Sequence, residues 1–385
     1  LMVALNLFGV TWMRTFERRA VLWGLGGILT VSSLLLRRKR GRAPPYEGLS
    51  GVVPYSALKI AAWRAVEADL GDQALFNDQL AVELAGPSAI AEVRARMARN
   101  PENVASRLAI RTKYFDDALV NAVEGADVPG TINHEPTLTT MAQVVLLGAG
   151  MDSRVFRLKT SSGYQAEVAF EVDLPEVLAA KQVVLDRCAA AGTLPELQLA
   201  RKRIAVGANL EEEAWDWRLL AAGFNRSLPT VWLAEGLLMY LEPAAVDRLA
   251  AKIFRLSAPG SALLVSMVNS VSVAKAQASQ KSALMQTWKW GSNDPRAFFS
   301  AFGWTVQSVV QVGSKKANFG RWTGEAVDLE DRPRATDTVS RVLYIRASKS
   351  PPPITPSKGS STPGTPTKAN CTSALKMALF DSPQR

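Results

Sequence analysis

Between residues 142 and 346 the chain alternates short, uninterrupted apolar runs with helical stretches, and this alternation limits the fold more than any other feature. The runs are 142–147 (AQVVLL), 167–172 (EVAFEV), a weaker 203–206, 230–234 (TVWLA) and 262–268 (ALLVSMV), with a late pair at 304–310 and 339–346. Helical stretches lie at 175–191, 212–222 and 243–257. A strand without polar alternation must be covered on both faces. The pattern therefore predicts an α/β protein with a mainly parallel sheet between helical layers. Such sheets bind ligands at the carboxyl ends of their strands. Gly148, Asp173 and Glu235 fall at those ends.

The first strand runs into Gly148-Ala149-Gly150-Met151-Asp152. Glycines here permit close backbone approach to a ligand and dihedrals denied to other residues. Asp173 closes the next strand, where a carboxylate can accept both hydroxyls of a ribose. Together they predict an adenosine-type ligand. A dinucleotide fingerprint requires a third glycine where Ser153 stands. A carboxylate in the turn at Asp152 would also repel a pyrophosphate. Both points favour S-adenosyl-L-methionine, with its amine and sulfonium, over a nicotinamide dinucleotide. A nicotinamide oxidoreductase is the alternative reading, and a non-catalytic cofactor-binding module a third.

Several stretches match one family in order and spacing: SALKIAAWRAVEADLGDQALFND (56–78), RLAIRTKYFDDAL (107–119), QVVLLGAGMDSRVFRL (143–158), FEVDLPEVLAAK (170–181), VGANLEEEAW (206–215) and TVWLAEGLLMYLEPAAVDRL (230–249). Over roughly residues 50–347 the chain resembles the leucine carboxyl methyltransferases and their bacterial S-adenosylmethionine-dependent relatives. The resemblance implies a class I methyltransferase: a Rossmann-like, mainly parallel seven-stranded sheet with an N-terminal helical cap. It also implies cofactor roles residue by residue. Lys59 and Arg111 would hold the cofactor carboxylate, with Gly148 and Gly150 under its methionine part and Asp173 at the ribose. Asn209 and Leu210 would lie at the adenine, Asn209 standing where the family usually has Asp, and Glu235 beside the methionine moiety. Taken alone, Arg111 reads as a surface ion pair with Asp116 or Asp117, Glu235 as a buried pair with Lys59 or Arg111, and Tyr240 as core packing or substrate contact.

The expected reaction is O-methylation of a carboxylate or hydroxyl acceptor. A carboxylate needs no general base and a hydroxyl usually does; none stands out, since the single histidine, His134, lies outside these motifs. No catalytic residue is therefore assigned. One histidine and two cysteines also leave no expected metal site. The expected partner is a methyl acceptor, a small molecule or a protein carboxylate.

The formal charge of +10 suggests nucleic acid until it is divided along the chain. Residues 1–45 carry +7, residues 346–385 carry +5 and the body −2. A basic groove on the body is thereby poorly supported, and no nucleic-acid partner is expected. Residues 20–36 (AVLWGLGGILTVSSLLL) are uncharged and flanked by basic clusters. As a helix they would span roughly 25 Å, slightly less than a bilayer core. A single membrane anchor with the body on the cytoplasmic-equivalent side is the favoured reading. An organelle-targeting leader and a buried helix are the others. The expected division is a basic leader (1–45), a helical cap (46–140), the cofactor-binding domain (141–347) and a disordered Pro/Ser/Thr-rich tail (348–385).

Overall fold

The computed structural model describes residues 49, 51–99, 105–125, 141–279, 282–322 and 338–350. The expected membrane segment 20–36, His134 and the tail beyond residue 350 lie outside the described residues. Among the described residues no helix is long and apolar enough to cross a membrane.

Seven strands form one sheet: β1 (Gln143–Leu147), β2 (Val168–Asp173), β3 (Arg203–Gly207), β4 (Thr230–Ala234), β5 (Ala262–Val268), β6 (Thr305–Gln311) and β7 (Val342–Ser348). Their order is β3-β2-β1-β4-β5-β7-β6. Strands β1 to β5 run parallel, and β7 is antiparallel to both β5 and β6. This is the class I methyltransferase arrangement that the resemblance implies. Strand order reverses between β1 and β4, so a crevice opens there at the carboxyl edge. Strand β7 starts three residues later than its apolar run suggests, because its register with β5 begins at Val268 opposite Val342. The residues before it are held by side chains: Asn269 Oδ1 and Ser272 Oγ both accept from the Arg341 N–H.

Three long helices precede the sheet: α1 (Val52–Glu67), α2 (Gln79–Arg99) and α3 (Ala105–Val123). Helix α2 has no clean sequence period because Gly86 (φ 74°) and Pro87 break it in the middle. The remaining helices are α4 (Arg154–Arg157), α5 (Pro175–Ala190), α6 (Trp215–Ala221), α7 (Pro243–Leu256), α8 (Ser270–Ala278), α9 (Ala283–Gln286) and α10 (Pro295–Ala301).

The pleat sends successive side chains to opposite faces of the sheet. Val144, Leu146, Val231, Leu233 and Leu264 pack with Ile110, Phe115 and Leu119 of α3 and Ala61 of α1. Val145, Leu147, Trp232, Ala234 and Val265 pack with Trp215, Leu249, Ile253 and Phe299 on the other face. The N-terminal helices are therefore a packing layer on one face. Helix α1 also reaches over the ligand edge, where Ala57, Ile60 and Arg64 line a cavity.

Candidate functional site

The turn after β1 owes its shape to the strand beside it. Gly148 and Ala149 donate backbone N–H groups to Val172 O at 2.8 and 3.2 Å. The Gly150 N–H donates to Asp173 Oδ2 at 2.6 Å, and Leu174 N–H donates to Oδ1 at 2.7 Å. Asp173 thus shapes the turn from the end of β2 while keeping further acceptor capacity toward the crevice. Burial raises its pKa, partly offset by these two N–H donors. Both glycines are required for conformation and for space. Gly148 (φ +63°) leaves room for Leu237, whose Cδ1 would lie 3.0 Å from an added Cβ. Gly150 (φ +47°) lets α1 rest on the turn, since an added Cβ would come within 3.1 Å of Ala57 Cβ.

A cavity of about 420 Å³ opens above this turn, within the roughly 300–1,000 Å³ usual for small-molecule sites. Gly148, Gly150, Asp173, Asn209, Leu210, Glu235 and Arg111 all line it, from five separate stretches of chain. Lys59 does not. On α1 the residues that line the cavity are Pro54, Ser56, Ala57, Ile60 and Arg64. Lys59 is turned instead to Glu92, with which it pairs at 2.8 Å, both side chains well exposed. The expected Lys59–Arg111 clamp is therefore not assembled.

Arg111 is also not the surface pair that its neighbours in sequence suggested. Its Nε donates to Glu235 Oε1 at 2.7 Å, across 124 residues. Asn209 Oδ1 accepts from the Glu211 N–H at 3.0 Å, so the oxygen expected to receive an adenine amino group is already shared with backbone.

Under the cavity lies a cluster that the sequence reading missed. Arg64 pairs with Asp78 (2.8 Å) and Arg157 with Asp78 (3.4 Å) and Asp116 (2.7 Å). Arg154 pairs with Asp116 (2.8 Å), Asp152 (2.5 Å) and Glu235 (2.6 Å), and Glu235 closes onto Arg111. Four arginines and four acids thus form one continuous, neutral chain. It ties α1, α2's approach and α3 to the ends of β1 and β4. Burial opposes ionisation of Asp152, but Arg154, Arg64 and Lys181 outweigh it and hold its carboxyl well below the usual range. Burial likewise opposes the Arg154 charge, and Asp152, Glu235 and Asp116 raise its pKa further. Asp152 is consequently neutralised in place, and the repulsion of a pyrophosphate expected from it is not available. The one sequence signal was position: Arg154 and Arg157 flank the turn's own helix.

A second buried group supports the turn from below. Lys181 of α5, fully buried, donates to Glu171 (2.7 Å) and to Asp152 O (2.5 Å). Arg203 joins Glu171 from β3 at 2.8 Å. No group of three or more His, Cys, Asp or Glu suited to a metal occurs among the described residues.

The fit to S-adenosylmethionine is set by what the cavity offers. Two glycines leave a cradle that any Cβ would fill, and Arg111 lines the cavity with its Nε held by Glu235. Asp173 stands one strand over at the ribose position of this fold.

Comparison with known proteins agrees. Residues 57–254 match the family profile described as leucine carboxyl methyltransferase. The chain is 40% identical over 224 residues to a "Putative S-adenosyl-L-methionine-dependent methyltransferase" of Parafrankia sp. (strain EAN1pec), covering 57% of this chain but under two thirds, 64%, of that relative. A relative of the same description from Frankia alni is 35% identical over 276 residues, covering 69% of this chain and 87% of the relative. One from Mycobacterium ulcerans is 32% identical over 332 residues, covering 81% and 97%. Profile, relatives and strand order converge: the chain belongs to the leucine carboxyl methyltransferase family and is an S-adenosyl-L-methionine-dependent methyltransferase.

Proposed function

We propose that the chain transfers the methyl to an acceptor oxygen, and that this oxygen belongs to a carboxylate rather than a hydroxyl. One observation carries the reading: every acid at the cavity is already engaged. Glu235 is shared by Arg111 and Arg154, and Asp152 is held by Arg154. Asp173 accepts two backbone N–H groups. Glu211 accepts the Glu242 N–H. Burial pushes the Tyr240 phenol up, so it stays protonated at neutral pH. A hydroxyl acceptor usually needs a base to take its proton. A carboxylate is nucleophilic as it arrives.

When bound, S-adenosylmethionine supplies an activated methyl on a sulfonium. The protein then contributes orientation and exclusion of water. Asp173 and Asn209-Leu210 are assigned to the adenosine, Gly148 and Gly150 to the close approach of the methionine part, and the Arg111 fork to its carboxylate. Glu235 orients Arg111 for that role.

The test is a methyl-transfer screen with methyl-labelled cofactor against cell extract, followed by mild alkali. A methyl ester releases its label as methanol, and an ether retains it. Alkali-stable label in every product would overturn the carboxylate assignment. The reading also keeps residues 20–36 as a membrane tether. Full-length protein should sediment with membranes and a chain lacking residues 1–45 should not; equal solubility removes the tether.

A further inference from the structure

We propose that the end of the cavity beyond Gly236 is an acceptor subsite for a small carboxylic acid with an apolar body, its carboxylate held by the Tyr240 hydroxyl and the Trp288 indole N–H. This rests on the methyl-transfer reading and adds to it a substrate class.

The two ends of the cavity differ in chemistry. Its lining also includes Met239, Tyr240, Leu241, Leu284 and Trp288, with the half-exposed Lys289 at the rim. Such a wall gains from covering an apolar body and offers little to a charged or sugar-like one. Two polar hydrogens interrupt it. The Trp288 Nε1 is shielded from solvent and makes no hydrogen bond among the described residues. It lies near the Tyr240 hydroxyl and lowers that group's pKa, without well-formed hydrogen-bond geometry. A shielded donor without an acceptor is unfavourable until an oxygen reaches it. Burial keeps the phenol protonated, so it too can donate, and the positive Arg111 acts on the same point. Two donors suit an anion, and a carboxylate has an oxygen to spare for attack.

The backbone that carries the indole is held from both sides. Gln277 Nε2 donates to Trp288 O at 2.7 Å, and the Lys289 N–H donates to Met239 O at 2.7 Å. Lys289 Nζ then closes the rim onto Glu242 at 2.9 Å. Helix α9 packs against α1, so this end of the cavity is roofed. A compact acid fits beneath such a roof, whereas the terminus of a folded protein would have to displace it.

The step balances without a base. One carboxylate oxygen forms a bond to the methyl carbon while the carbon–sulfur bond breaks and its electron pair goes to sulfur. An anion and a sulfonium become a neutral ester and a neutral thioether, and no proton moves.

The experiment uses the full chain loaded with S-adenosylhomocysteine, titrated calorimetrically with 3-phenylpropanoate, decanoate, 3-phenylpropanamide and a pentapeptide with a free carboxyl terminus. The acids should bind, with the amide at least tenfold weaker. Trp288→Phe and Tyr240→Phe should each weaken the acids about tenfold and leave S-adenosylhomocysteine affinity within twofold. Should the indole replacement fail to fold, Tyr240→Phe, which removes a single oxygen, carries the test. Equal affinity for acid and amide, preference for the peptide, or no binding of either acid overturns the subsite. Failure of S-adenosylhomocysteine itself to bind sinks the methyl-transfer reading as well, which separates the two.

Discussion

The floor and the far wall of the cavity are built from opposite materials. The floor is a chain of eight charges running from Arg64 to Arg111 through Asp78, Arg157, Asp116, Arg154, Asp152 and Glu235. The wall is apolar and aromatic, with two polar hydrogens. The floor's charges satisfy one another, so little of them is left for chemistry; their work is to fix α1 and α3 against the strand ends. The wall has almost no internal satisfaction to offer its donors. Charge at a site is therefore a poor guide to catalysis here, since the most charged region is the most structural.

Arg154 gives the largest expected effect. Arg154→Met would leave Asp116, Asp152 and Glu235 without their shared partner at a position only 3% exposed. Breaking a buried pair by removing one side typically costs about 3–5 kcal/mol. Urea unfolding should show a loss of that order; a loss under about 1 kcal/mol would mean the floor is not structural. The same floor has an acid limb. Asp152 and Asp78 have folded pKa values below their ordinary ones, because facing arginines outweigh the burial that opposes ionisation. Their contribution is therefore complete above the ordinary carboxylate pKa near 4 and is lost as pH falls through the lower folded values. Arg154→Met should flatten stability below about pH 4.

Asp173 stands between floor and wall and gives the next effect. Asp173→Asn should weaken S-adenosylhomocysteine binding by about 10- to 100-fold, as expected for a hydrogen-bonded charge worth roughly 1.5–3 kcal/mol. Because Asp173 also holds the Gly150 N–H, weakening alone does not separate ribose contact from turn geometry. A 2′-deoxy analogue does. If Asp173 meets the ribose, the analogue should lose little more on the variant. Full additivity of the two losses would remove the assignment.

How much of this was readable in the sequence follows from how each signal is encoded. The sheet was legible because its strands are continuous apolar runs and its ligand edge is marked by local punctuation, Gly148 and Asp173. All of the strand-end residues reach the cavity. Helix α2 was not singled out, because Gly86-Pro87 interrupts its period. The Arg154 cluster was invisible for another reason. Its pairs join residues 38 and 81 positions apart (Asp116–Arg154 and Arg154–Glu235), and no local pattern records such partners. Arg111 had both kinds of partner open to it in the sequence, Asp116 or Asp117 nearby and Glu235 at the end of β4, and the structure gives it Glu235.

Lys59 gives the smallest expected effect and the sharpest check of the boundary between site and surface. The family motif places a basic residue here, and charge alone would let it reach an anionic ligand. Its partner decides otherwise. Lys59 lies about 100° around the helix from Ile60 and about 60° from Ser56, both of which line the cavity, and its side chain is turned to Glu92 instead. The side chain is 38% exposed, bonded to a still more open Glu92, with its ammonium 5.3 Å from the Tyr55 ring. Pairs of this kind contribute at most about 1 kcal/mol and commonly less, because solvent screens them. Lys59→Ala should therefore leave S-adenosylhomocysteine affinity within twofold and stability within about 0.5 kcal/mol. A tenfold loss of affinity in calorimetry would show that Lys59 swings from Glu92 into the cavity when ligand binds. That result would move the cofactor's carboxylate site away from Arg111 alone and restore the two-cation clamp.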